Sequence, residues 1–163
     1  MTESAVREER TTDYSKTEIT HVLKYEDING QGRLFGGRLM GWIDETGGMT
    51  AMRHAGLQVT TACVDNLQFK RGAKLNDMVV LVGRVTYVGN ASIEVRVDSY
   101  LENAEGLRSP INRAYLIYVT VDGSGDPVRV PFGLKVETES ERAEWEGACL
   151  RRTNRQLRRQ EGY

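Results

Sequence analysis

Residues Asn29–His54 have the sequence NGQGRLFGGRLMGWIDETGGMTAMRH. A polar, glycine-bearing loop opens this stretch and leads to the apolar pair Leu34-Phe35 and the double glycine Gly36-Gly37. From Arg38 onward most residues favour helix, with no proline and few β-branched side chains. The stretch therefore predicts a loop followed by a helix over about residues 37–54.

This predicted helix has two unusual properties. Its apolar residues lie on more than one face, which indicates a largely enclosed helix; they are Leu39, Met40, Trp42, Ile43, Met49, Ala51 and Met52. It also contains Gly41, Gly47 and Gly48. Each of these glycines weakens a helix by about 1 kcal/mol relative to alanine. We therefore expect a sheet to approach the helix closely at the glycines.

Asp44 and Glu45 place two carboxylates in the middle of this apolar helix. Adjacent helical residues point about 100° apart, so at most one carboxylate can share the face of Met40. Both could lie on a solvated stripe. A buried carboxylate would instead need a partner or a chemical role. We interpret Glu45 as a solvent or interface residue.

Composition limits the class of protein. The chain has 163 residues and a formal net charge of −1, which suits one domain and gives no reason to expect nucleic acid as a partner. Cys63 and Cys149 match no disulfide or metal framework, so we expect no metal site. No stretch has the pattern of a signal peptide or the length of a membrane span. We therefore expect a cytoplasmic protein with no membrane partner.

The rest of the chain predicts mostly strands. Residues 1–16 are polar and predict a flexible tail. Strands are expected from alternation or β-branched residues at 17–26, 59–69, 77–88, 91–102 and 112–121, with a short edge strand at 128–130. Gly89-Asn90 predicts a hairpin, and residues 103–110 a loop. Thr138 and Glu141 form a capping box for a final helix, whose arginine-rich end we expect to be solvated.

The order of these elements predicts an α+β fold. One glycine-rich helix stands among strands that can form a single long antiparallel sheet, and the sheet is expected to wrap around that helix. Residues 17–135 would form this domain, and residues 136–163 would form an outer C-terminal helix packed on it.

Five motifs stand out along the chain. They are Asn29-x-x-Gly32-x-Leu34-Phe35-Gly36-Gly37, Trp42-Ile43-Asp44-Glu45, Val64-Asp65-x-x-x-Phe69, Val85-Thr86-Tyr87-Val88-Gly89-Asn90 and Ala114-Tyr115. Together they resemble the acyl-CoA thioesterase group of the hotdog-fold superfamily. The resemblance implies a hotdog fold and hydrolysis of acyl-CoA thioesters, without a metal or a cofactor other than the coenzyme A moiety of the substrate. It also implies a homo-oligomer built from dimers, such as a hexamer formed by a trimer of dimers.

Thioester hydrolysis needs a base or nucleophile and donors for the oxyanion. The chain has no GxSxG motif and neither cysteine has a neighbouring histidine, so a serine or cysteine triad is unsupported. Asp44 is the available carboxylate on the helix. N–H groups near Gly36-Gly37 lie at a helix start, where the dipole favours negative charge. By resemblance, Asp44 activates water or attacks the carbonyl, the Gly36 amide polarises the thioester oxygen, and Asn29 positions water or substrate. Asp44 could instead be a structural carboxylate, and Asn29 an ordinary turn residue.

The candidates for binding coenzyme A are less specific. They are Gly37, the hairpin residues Gly89, Asn90 and Ser92, and the cations Arg53, Lys70 and Arg71. Taken singly, each cation fits an ordinary surface role. The methionines Met40, Met49 and Met52 could line an acyl tunnel, although we expect them to fill the core.

Two other functions are consistent with the same fold. A non-catalytic acyl-CoA-binding module would need a partner-binding extension, which neither terminus offers. A hotdog hydratase or dehydratase would, by resemblance, use a histidine. His21 and His54 do not sit in that arrangement, and we interpret His21 as a packing residue of a strand.

Helix geometry adds an expectation about assembly. Gly36 and Asp44 are 44 − 36 = 8 residues apart. That spacing is about 12 Å along a helix, whereas both groups must act on one carbonyl. Two antiparallel helices at a two-fold axis would bring Gly36 of one chain beside Asp44 of the other, so we expect active sites shared between two chains.

Overall fold

A five-stranded antiparallel sheet curls around one long helix in the computed structural model, which describes residues 7–163. The elements are β1 (Glu9–Thr11), α1 (Thr12–Ser15), β2 (Thr17–Val22), α2 (Gly36–Ala55), β3 (Gln58–Asp65), β4 (Met78–Val88), β5 (Ser92–Glu102), β6 (Arg108–Val121), β7 (Gly133–Lys135) and α3 (Glu139–Glu161). The sheet order is β2-β4-β5-β6-β3, and β1 pairs with β7 in parallel. The predicted α+β arrangement is confirmed.

The core forms between α2 and the inner face of the sheet. Leu39, Ile43 and Ala51 of α2 are buried there. They pack in one cluster with sheet residues that include Val79, Leu81, Val95, Val97 and Leu116. A Cβ atom at Gly83 of β4 would collide with the hydroxyl of Thr50. A glycine at this position of the sheet therefore lets α2 lie close to it.

Of Gly41, Gly47 and Gly48 in α2, only one lies as close to the sheet as expected. A Cβ atom at Gly47 would collide with the Tyr118 hydroxyl. At Gly48 the closest such contact is an ordinary 3.7 Å, and at Gly41 no described atom lies within 4 Å. The expected close approach of the sheet to the helix is therefore confirmed at Gly47. Within one chain, it is wrong for Gly41 and Gly48.

Several boundaries differ from the sequence predictions. Residues 9–15 form β1 and α1, although a flexible tail was expected through residue 16; residues 1–6 of that tail lie outside the described range. Strand β6 begins at Arg108, inside the expected loop. Residues 128–130 form no strand, and the short strand comes later, as β7. These differences arise where pairing with a distant segment, such as Glu9 with Gly133, decides the conformation.

Helix α3 lies on the outer face of the sheet and is held there by ion pairs. Its capping box at Thr138 and Glu141 is confirmed. Arg151 lies 2.7 Å from the carboxylate of Glu94, which is 2% exposed. Arg155 lies 3.0 Å from the carboxylate of Asp65. The expectation of a solvated arginine-rich end is therefore wrong for these arginines, because acidic residues of the sheet face them.

His54, near the end of α2, joins three elements in a buried site. Its Nδ1 lies 3.2 Å from the Ser15 hydroxyl, and its Nε2 lies 3.1 Å from the carbonyl oxygen of Gly133. A carbonyl only accepts, so Nε2 carries the proton and Nδ1 accepts from Ser15. Burial, aided by the charge of Arg10 and opposed by the Gly133 hydrogen bond, lowers the pKa of His54 to about 4.

We expect this histidine to make folding stability depend on pH. The folded pKa lies below the ordinary value of 6.5, so the stability contributed by neutral His54 is complete above pH 6.5 and is lost as the pH falls toward 4. The lowering of the His54 pKa from 6.5 to about 4 corresponds to roughly 3 to 4 kcal/mol of folding stability. Urea unfolding at about pH 7 and about pH 4.5 measures it. His54→Gln should lose most of this pH dependence, and an equal dependence in both proteins would contradict the assignment.

Candidate active site

Asp44 lies half-buried beside an open cleft between α2 and β3. The cleft has a volume of about 410 Å³. Its lining residues are Asp44, Glu45, Gly48, Met49, Met52, Val59, Thr61 and Tyr118. Polar groups thus gather at Asp44, while the methionines and Val59 make the neighbouring wall apolar. Glu45 is exposed, as expected.

Two hydroxyl groups hold one oxygen of the Asp44 carboxylate. The Thr61 hydroxyl donates to Asp44 Oδ1 over 2.8 Å. The Tyr118 hydroxyl lies 3.1 Å from the same oxygen and 3.0 Å from the Asp44 main-chain oxygen. Asp44 Oδ2 accepts no hydrogen bond from residues 7–163. One carboxylate oxygen is therefore fixed and the other is left for water or substrate.

Helix α2 begins with two glycine amides. Arg38 and Leu39 donate their N–H groups to the carbonyl oxygen of Phe35, over 2.9 and 3.1 Å. Gly36 and Gly37 precede them in the first turn, where N–H groups have no acceptor within the helix. These amides and the helix dipole can stabilise an oxyanion. Gly36 stands 44 − 36 = 8 residues before Asp44 on the same helix, and eight residues correspond to about 12 Å along an ideal helix axis.

The side chain of Asn29 stabilises the loop that precedes α2. Its side-chain oxygen accepts hydrogen bonds from the N–H groups of Gln31 (2.9 Å) and Arg33 (3.2 Å). This is the geometry of a turn-forming asparagine, which is one of the two roles that the sequence left open.

The candidate residues for coenzyme A lie in three places of one chain. Lys70 and Arg71 follow Phe69, whose ring packs against Gly36 at the start of α2. Arg53, near the end of α2, donates to the Thr17 hydroxyl. The third place is the β4–β5 hairpin, which contains Gly89, Asn90 and Ser92 and is closed by a 2.7 Å bond from the Gly89 N–H to the Ser92 carbonyl oxygen. Within one chain, none of these residues lines the Asp44 cleft.

Sequence reasoning missed Thr61 and Tyr118. They are register partners on neighbouring strands β3 and β6, and a β-bulge follows Thr61. Two strands so far apart in sequence show no local signal of this pairing. The expectation of core filling is wrong for Met40 and Met52, which are 43% and 36% exposed.

Neither histidine lines the Asp44 cleft. The ring of His21 stacks on Trp42, with centroids 4.1 Å apart, as expected of a packing residue. Burial lowers the pKa of His21, against the opposing charges of Glu45 and Asp27. Among residues 7–163, no cluster of three or more His, Cys, Asp or Glu residues could hold a metal ion. No helix in this range is long and apolar enough to cross a membrane.

A single curled sheet around a central helix, with the candidate carboxylate on that helix, defines a hotdog-fold protein. The profile of the thioesterase superfamily matches residues 31–106. An uncharacterized acyl-CoA thioester hydrolase of Bacillus subtilis is 37% identical over 116 residues, covering 71% of this chain and 67% of the relative. An acyl-CoA thioester hydrolase of Salmonella typhimurium is 31% identical over 109 residues, covering 64% of this chain and 82% of the relative. The chain therefore belongs to the thioesterase superfamily, among its acyl-CoA thioester hydrolases.

Solved structures agree with this family. An alanine variant of the acyl-CoA hydrolase from Staphylococcus aureus is 33% identical, with a TM-score of 0.88 and 95% of both chains covered. A hexameric acyl-CoA thioesterase is 36% identical, with a TM-score of 0.87, 93% of this chain and 97% of the other covered. The chain spans only 37% of the length of the rat cytosolic acyl coenzyme A thioester hydrolase, to which it is 31% identical over 143 residues.

Proposed function

We propose that this protein hydrolyses acyl-CoA thioesters to a carboxylic acid and coenzyme A. The observation that carries the proposal is a carboxylate with one fixed and one unpaired oxygen, placed at the polar end of an apolar cleft. An acyl chain can pack against the apolar walls of the cleft. The carboxylate can then act on the thioester carbonyl at the end of that chain.

Asp44 has two possible roles in this reaction. As a general base, Oδ2 takes a proton from a water molecule while the water oxygen bonds to the thioester carbonyl carbon. The carbon–sulfur bond then breaks, and the proton passes to the departing thiolate. As a nucleophile, Oδ2 would attack the carbon itself and break the carbon–sulfur bond, which expels the thiolate and leaves a mixed anhydride. Water would then hydrolyse the anhydride, which releases the carboxylic acid, restores the Asp44 carboxylate and supplies the proton that the thiolate takes up. In both cases N–H groups at Gly36 and Gly37 hold the oxyanion.

Solved relatives support the assignment of residues. For the hydrolase of Staphylococcus aureus, alanine variants of an aspartate, an asparagine and a threonine have been characterised, and one structure contains butyryl coenzyme A. These are the residue types of Asp44, Asn29 and Thr61. On this basis we assign Asn29 to positioning the substrate or a water molecule. Its side-chain oxygen also holds the loop through the hydrogen bonds from Gln31 and Arg33.

The proposed active site lies between two chains. The separation of about 12 Å along α2 favours a site in which the amides of one chain meet Asp44 of another. Strand β3 is an edge of the sheet, where exposed residues 60–62 leave backbone groups for a partner. Relatives of known structure include hexameric thioesterases, one of them from Yersinia pestis and 30% identical. We infer a homo-hexamer built as a trimer of dimers, whose packing brings Gly37, Arg53, Lys70, Arg71 and the Gly89–Ser92 hairpin of different chains toward one coenzyme A.

A panel of acyl-CoA esters with chains of increasing length tests the activity through release of free thiol. We expect turnover of at least one ester. Binding of acyl-CoA by calorimetry without thiol release would favour the non-catalytic module instead. The domain boundaries at residues 16 and 135 and a cytoplasmic location remain predictions; the cytosolic name of the rat relative supports the latter.

A further inference from the structure

Tyr118 reaches Asp44 from the sheet, past Gly47 of α2. The tyrosine lies on the inner face of β6 and is 1% exposed. Gly47 is the residue of α2 that it meets, and a side chain there would collide with the hydroxyl and bring a Cβ atom within 2.9 Å of Cζ. A glycine inside a helix costs about 1 kcal/mol relative to alanine. Gly47 opens the space through which the phenol touches Asp44.

The pairing of β3 with β6 places the two hydroxyl donors beside Asp44. Thr61 and Tyr118 are direct register partners, and the bulge after Thr61 breaks the regular alternation of β3 at that point. Thr61 donates to Asp44 Oδ1, and Tyr118, from the neighbouring strand, shares its single hydroxyl proton between the same Oδ1 and the main-chain oxygen of Asp44. Burial, and then the negative charge of Asp44, raise the pKa of Tyr118, so its hydroxyl stays protonated and can only donate to the carboxylate at neutral pH.

We propose that Tyr118 is a positioning residue for thioester hydrolysis: with Thr61 it fixes Asp44 Oδ1, so that Oδ2 alone is presented to the water or the carbonyl carbon. This inference rests on the proposed function. The second contact of Tyr118, to the main-chain oxygen of Asp44, fixes the helix backbone at the same residue. Glu45 of α2 is the other charged side chain among the described residues that line the cleft.

Tyr118→Phe tests this role, because it removes one donor and keeps the ring. We expect kcat to fall about 10- to 100-fold, since one hydrogen bond to a charged group is lost. The acidic limb of the kcat/KM pH profile should move to higher pH by about one unit, because the donor stabilises the ionised carboxylate. A purely structural role would not move that limb.

Tyr115→Phe is the matched control. Tyr115 lies on the same strand, is half-buried, and its hydroxyl donates to Glu144 of α3 rather than to Asp44. The Tyr115→Phe variant should have the wild-type kcat, and the acidic limb of its kcat/KM profile should lie at the wild-type pH. Tyr118→Phe with kcat within about twofold of wild type and an unmoved acidic limb would overturn the inference.

Gly47→Ala provides a second route, because it displaces the phenol while the tyrosine remains. It should reproduce the shift of the acidic limb, whereas Gly41→Ala, with open space at its Cβ position, should not. An active Gly47→Ala variant with the wild-type limb would count against the proposal. If the wild-type protein itself releases no thiol, the proposed function fails and this inference fails with it. An active wild type with an unaffected Tyr118→Phe removes the inference alone.

Discussion

Replacement of Asp44 by alanine should lower the turnover of an acyl-CoA ester by about 100-fold or more, because the reaction loses its base or nucleophile. Asp44→Asn should lose as much. Its side-chain oxygen can still accept from Thr61 and Tyr118, but an amide can neither take a proton nor attack the carbonyl. The pair of variants therefore separates the chemistry of the carboxylate from its structural contacts.

Melting temperature and oligomeric state should stay near wild type in both variants, since Asp44 is half-buried beside an open cleft. Asp126→Ala, in an exposed turn, serves as the control for loss of an acidic residue. Turnover above about a tenth of wild type in Asp44→Ala would reject the catalytic assignment. Near wild-type activity in Asp44→Asn would assign Asp44 a purely structural role.

Mixing two inactive variants should restore activity if the active sites are shared. Asp44→Ala removes the carboxylate, and Gly36→Pro removes an N–H at the first position of α2, where a helix tolerates proline. In a mixed dimer, one site carries both lesions and the other carries neither. Random pairing makes half of the dimers mixed, so activity should recover to about a quarter of wild type.

Each variant, unfolded and refolded alone, gives the baseline, and mass spectrometry of intact dimers verifies that chains have exchanged. Asn29→Ala is a milder partner for Asp44→Ala if Gly36→Pro folds poorly. Exchanged chains without recovered turnover would place each complete site within a single chain.

The sequence predicted local structure well where a local pattern determines it. The apolar and glycine pattern predicted α2 to within one residue at each end, and alternation predicted β5. Contacts between distant segments were not predictable in the same way. Arg155 and Asp65, which form an ion pair, are 90 residues apart, and nothing near either residue indicates the other.

The candidate site shows the same division. The catalytic roles of Asp44 and Gly36 stay predictions. The two residues could be named as candidates from the sequence because a helical carboxylate and a glycine-rich helix start belong to the motifs that resemble the thioesterases. Thr61 and Tyr118 could not, because their approach to Asp44 depends on the register between β3 and β6 and on the bulge. Gly47 could be recognised in the sequence as a glycine that weakens a helix. The structural reason for a glycine there, the Tyr118 hydroxyl packed against it, appears only in the folded chain.

The charged contacts between α3 and the sheet also bear on how the chain avoids aggregation while it folds. All five strands of the sheet precede α3 in the chain, so the outer face of the sheet can form while that helix is still undocked. An apolar outer face would then adhere to other nascent chains. Here that face presents the acidic groups Glu94 and Asp65, which water solvates until Arg151 and Arg155 of α3 pair with them. The late helix therefore covers a surface that is already compatible with water.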